Sequence, residues 1–127
     1  MIRLVNLKEG YSTEQALAIL EIEIESAKKE GLIAIKVLHG YGSHGKGGVI
    51  RKALMPTLAS WKKSKFILEY FGGDHWNLFD PLAQKILLKD KSIYNDCDIS
   101  NANPGITIIQ INWLTLCNLM HSVFLFV

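Results

Sequence analysis

An α/β domain is predicted by three observations in the 127-residue sequence. Short apolar runs alternate with segments whose apolar residues recur at helical spacing, which is the pattern of β-α-β units. Glycine and proline stay out of the apolar runs. The length suits one ordinary core, and 49% hydrophobic with 20% charged residues excludes disorder as the overall state.

The first strand is read from Ile2–Leu7, ending near Gly10. Ser12 with Gln15 three residues on forms a capping box, and Ala16, Leu17, Leu20, Ile24 and Ala27 follow at helical spacing. Glu21, Glu25 and Lys28 fall on its other faces, and Gly31 stops the helix, which is expected over residues 13–30. Leu32–Leu38 is almost continuously apolar, as a strand covered on both faces would be. A glycine-rich segment, His39–Gly48, comes next. A second helix starts near Val49, and Pro56 inside it predicts a kink or break. Lys65–Phe71 is the third strand, closed by Gly72–Gly73.

Residues 74–104 are the least regular part. Asp80–Pro81 is a helix start, so Leu82–Lys89 is expected to be a short helix. After the turn Asn103–Pro104–Gly105, Ile106–Ile111 is the fourth strand. The order is β-α-β-α-β-β, and right-handed crossovers predict that the first three strands are parallel neighbours. Ile106–Val127 is 22 residues without Asp, Glu, Lys or Arg. Gln110, Asn112, Asn118 and His121 interrupt it, so Trp113–Val127 is read as an apolar tail that packs on the domain or on a second copy. A membrane anchor is the alternative reading.

Charge is unevenly placed. Residues 31–68 hold seven bases (Lys36, Lys46, Arg51, Lys52, Lys62, Lys63, Lys65) and no acid. The remainder holds seven bases against twelve acids, and such asymmetry predicts a basic face for a polyanion. Cys97 and Cys117 lie twenty residues apart with no Cys-x-x-Cys pair, which suits a reducing compartment and argues against a disulfide scaffold or a four-ligand zinc site. With no stretch like a signal peptide, a cytoplasmic location is expected.

The chemistry concentrates in the glycine loop, where backbone N–H groups can approach an oxyanion. Gly40, Gly42 and Gly45 satisfy G-x-G-x-x-G, yet the chain is too short for the dinucleotide fold that motif serves. Gly40 through Lys46 satisfy G-x-x-x-x-G-K, but Gly47 stands where a phosphate loop needs Ser or Thr. His44 and His75 with Asp74 would make a metal site that no spacing demands, and exposed loop residues are the simpler reading. Trp61, Trp76 and Trp113 are read as packing residues.

The run Lys36–Val37–Leu38–His39–Gly40–Tyr41–Gly42, with Ile50–Arg51 opening the next helix, resembles the His-Gly-x-Gly region of the Smr (small MutS-related) domain family. Gly10–Leu17 is similar to the family's start of its first helix, and Asn103–Ile109 to its final strand. The resemblance covers residues 1–112, with 74–104 as an extra segment and 113–127 outside it.

It implies a two-layer α/β sandwich with a four-stranded mixed sheet, similar to the C-terminal domain of translation initiation factor 3. It implies DNA or RNA as partner, with His39, Gly40, Tyr41, Gly42, Lys46, Arg51 and Lys52 at the interface. Many members are metal-assisted endonucleases, for which His39 and Glu9 would be the catalytic residues and magnesium or manganese the metal. However, Asn6–Leu7–Lys8–Glu9 stands where those nucleases carry Leu-Asp-x-His, with neither Asp nor His. The resemblance therefore favours binding over cleavage. An interaction module that docks through its tail is the third reading.

Overall fold

The computed structural model describes residues 2–8, 10–40 and 47–112. Strand β1 (Arg3–Asn6) leads to helix α1 (Thr13–Glu30), strand β2 (Ala34–Leu38) and helix α2 (Gly47–Lys63). Strand β3 (Ile67–Gly72), helix α3 (Pro81–Leu87) and strand β4 (Ile106–Ile111) follow, with 3₁₀ turns at Gly73–His75 and Lys91–Asn95. The tail Trp113–Val127, with Trp113 and Cys117, lies outside the described residues.

Local chemistry accounts for the ends of α1. Ser12 accepts from the Gln15 N–H while the Gln15 side chain accepts from the Ser12 N–H, so the box is complete. Gly31 closes the helix at φ 72°, a left-handed conformation that glycine adopts without steric cost. Lys28, expected on an outer face, is instead buried, with its ammonium 3.8 Å from the centre of the Phe66 ring.

The sheet order is β1-β2-β4-β3. β1 and β2 pair in parallel, whereas β4 is antiparallel to both β2 and β3. The first three strands thus run in one direction, but β3 is not a neighbour of β2 as expected. β4 lies between them because its apolar run is the strand best suited to the middle: all six residues, Ile106–Ile111, are buried.

The break expected at Pro56 does not occur, and α2 is one helix from Gly47 to Lys63. Proline removes one N–H bond, which the surrounding turns and the burial of Leu54 and Leu58 against the sheet outweigh.

One face of the sheet carries α1 and α2, packed through Leu20, Ile24, Leu54 and Leu58 on Val5, Ile35, Val37 and Ile109. The opposite face is covered by the segment that the sequence left irregular. Trp76, Ala83, Ile86, Leu87 and Ile93 pack there on Ala34, Phe71, Ile106 and Ile108. Lys36 reaches from this face of β2 to Asp96 at 2.7 Å and Asp98 at 2.6 Å. Trp76 Nε1 donates to Asp96 and Asn103 Nδ2 to Asp98, completing a clasp between sheet and cover. Burial opposes the Lys36 charge, but the bonds to Asp96 and Asp98 outweigh it and raise its pKa.

Candidate nucleic-acid interface

β1, β2 and β3 end on the same edge of the sheet, since Asn6 pairs Leu38, Leu38 pairs Ile106 and Gly72 pairs Thr107. Ligands of open α/β sheets bind beyond such carboxyl ends. Here that edge holds His39, Gly40, the start of α2 and the Gly72–His75 turn.

Gly40 takes φ 76°, which explains glycine after the histidine. The N–H groups of His39 and Gly40 both donate to the Gly105 carbonyl at 3.0 Å, tying the end of β2 to the turn before β4. The His39 side chain is fully buried. Its Nδ1–H donates to the Gly40 carbonyl, which leaves Nε2 to accept from Thr107 Oγ1 at 2.8 Å. Burial pushes its pKa down, and the Arg51 charge adds to that. His39 is thus a neutral clasp with both ring nitrogens engaged.

Arg51 and Lys52 are exposed near the start of α2, whose first turn holds no acid. Arg51 and Met55 line a 370 Å³ cleft at this edge. Tyr70 to His75, Ala102, Pro104 and Thr107 line it as well. A Cβ on Gly73 would collide with the Asn103 carbonyl, so only glycine lets the 72–75 turn sit this close to the 102–104 loop. Ala102 in that loop holds φ 50°.

The structure therefore brings together His39, Gly40, Arg51 and Lys52 among the predicted site residues. Tyr41, Gly42, Lys46 and Glu9 lie outside the described residues, as does His44. The seven bases do not make one face. Lys36 is buried against two aspartates, Lys62 pairs Glu69 at 2.9 Å, and Lys63 lies roughly 16 Å along α2 from Lys52. Of the described bases in the segment, Arg51 and Lys52 are the two that stand at the start of α2.

The sequence reading missed a side-chain pair of which one member, His75, lines the same cleft. His75 Nδ1 donates to Asp80 Oδ2 at 2.7 Å, and Asp80 Oδ1 accepts from the Leu82 N–H at the start of α3. The bond to Asp80 raises the His75 pKa, with smaller support from Asp74. Asp80 was legible as a helix cap, but its second partner depends on the turn between them. No group of three or more His, Cys, Asp or Glu able to hold a metal ion occurs among the described residues. Nor, among them, is any helix long and apolar enough to cross a membrane.

A mixed four-stranded sheet with two helices on one face is consistent with an Smr-like fold. The crystal structure of the Smr domain of Thermus thermophilus MutS2 shares it, with a TM-score of 0.53 at 18% identity. The likeness covers 87% of this chain and 99% of that one. No protein-family model matches the chain, and neither does any curated protein sequence.

Proposed function

We propose that this protein binds the phosphate backbone of DNA or RNA at the carboxyl edge of its sheet. The observation that carries the reading is the placement of Arg51 and Lys52: both are exposed beside the glycine loop, and Arg51 walls the cleft. Arg51 can bond a phosphate through two N–H groups, while Lys52 and Lys46 act as point charges. The resemblance of His39–Gly42 and its surroundings to Smr domains, together with the shared fold, supports a nucleic acid over other polyanions. In this reading His39 holds the base of the loop and does not itself touch phosphate.

Retention of labelled single-stranded RNA, single-stranded DNA and duplex DNA, measured across a salt series, tests it. Each phosphate neutralised contributes about 0.7 to the log–log salt slope on single strands and about 0.9 on duplex. Lys52→Ala should therefore weaken binding to all sequences alike and make the slope shallower by roughly one contact. The reading is abandoned if Lys46, Arg51 and Lys52 can all be changed to Ala with affinity and slope unmoved.

A further inference from the structure

We propose that His75, oriented by Asp80, is a general base for cleavage of a phosphodiester seated beside Arg51, an inference that rests on the nucleic-acid reading above. The pair lies in the 74–104 segment, outside the sequence motifs that resemble Smr domains, and His75 lines the same cleft as Arg51.

Three features make the imidazole more than an exposed loop histidine. Asp80 takes one ring nitrogen and is itself held by the Leu82 N–H, so the ring is oriented by a carboxylate that cannot drift. The neighbouring Trp76 is fully buried, its Nε1 bonded to Asp96 and its carbonyl to the Ser100 N–H, which fixes the backbone carrying His75. Nε2 makes no hydrogen bond among the described residues: Asp74 Oδ2, its nearest ionic neighbour, is 3.6 Å away. An oriented imidazole with one nitrogen not hydrogen-bonded, in a cleft with a cation, is the arrangement that general-base catalysis needs.

The step balances without any further reagent. An oxygen of water, or of an adjacent ribose hydroxyl, attacks phosphorus and loses its proton to Nε2. The bond from phosphorus to the departing oxygen breaks, and that oxygen takes a proton from solvent. His75 then returns its proton to solvent. Arg51 faces the charge that gathers on the non-bridging oxygens. His75 is the catalytic residue and Asp80 a positioning residue.

The test incubates the full chain with 5′-labelled single-stranded RNA and with DNA of the same sequence, and scores retention and strand cleavage separately. Cleavage of either polymer is expected, and cleavage of RNA alone identifies the ribose hydroxyl as nucleophile. His75→Gln should lower the rate by about 10²–10⁴-fold with retention unchanged. Its side chain is 47% exposed, so the variant should melt like the parent. Asp80→Asn keeps the helix cap. It removes one of two carboxylates facing the ring, the other being Asp74, with Arg51 the cation that lines the same cleft. It should therefore move the midpoint of the pH–rate rise downward, which a merely structural role would not do. Retention of intact strands by the wild type, or cleavage undiminished in His75→Gln, overturns the inference and leaves the binding reading standing. Loss of retention by the wild type overturns both.

Discussion

His39 shows how a side chain with a functional motif around it can be used for construction. Both nitrogens are bonded inside the protein, and burial disfavours its charge. Thr107→Val deletes the donor to Nε2 while keeping the shape, so a buried acceptor is stranded. Urea unfolding should show a loss of about 1–3 kcal/mol. The pH dependence follows from the lowered pKa. A histidine harder to protonate when folded contributes stability above its unfolded pKa, near 6.5, and that contribution is lost as pH falls from there toward the folded value. His39→Gln should flatten this part of the stability–pH curve; an unchanged curve would show that His39 is not the group responsible. Lys36 is the second case at this scale. Its removal leaves Asp96 and Asp98 facing each other in a half-buried site, and Lys36→Met is expected to cost roughly 3–5 kcal/mol in the same unfolding assay.

Among the elements, α2 and the 72–75 turn depart from simple propensity in opposite ways. In α2, Pro56 is exposed and withholds one N–H from the helix ladder. Pro56→Ala restores that bond, and a gain of up to about 3 kcal/mol should appear as a raised melting temperature. No gain would mean that the turn is already shaped around the proline ring. In the turn, Gly73 is required by a neighbour and not by its own backbone, since a side chain there meets the Asn103 carbonyl and comes within 2.9 Å of Ile106. Gly73→Ala should cost about 1–3 kcal/mol or more. It should also disturb the cleft wall, seen as shifted amide resonances for His75 and Asn103.

For the whole molecule, the division of charge has to be read from the fold. The basic segment is contiguous in sequence, yet α2 separates its two ends. Arg51 and Lys52 stand at the carboxyl edge of the sheet, whereas Lys63 and Lys65 stand at the far end of the helix. A short oligonucleotide gripped at the loop should lose affinity and salt slope on Lys52→Ala but keep both on Lys63→Ala. Equal losses from the two changes would place the strand along α2 instead of across the sheet edge.

Much of this arrangement is determined by the sequence alone, through interactions that reach only a few residues. The capping box of Ser12 and Gln15, the left-handed Gly31, the Asp80–Pro81 helix start and the apolar run Ile106–Ile111 each specify an element because their physics is local. The glycine loop after the second strand and the Smr resemblance were legible for the same reason: they are patterns along the chain. Partnerships across the fold were not. That β4 enters between β2 and β3, that Lys36 turns inward to two aspartates, and that His75 meets Asp80 beside Arg51 are decided by tertiary structure. Such contacts depend on which buried faces must cover one another, and residues 74–104 carry little periodicity until the sheet they cover exists. Their side chains find partners through space, where the order of the sequence carries no distance.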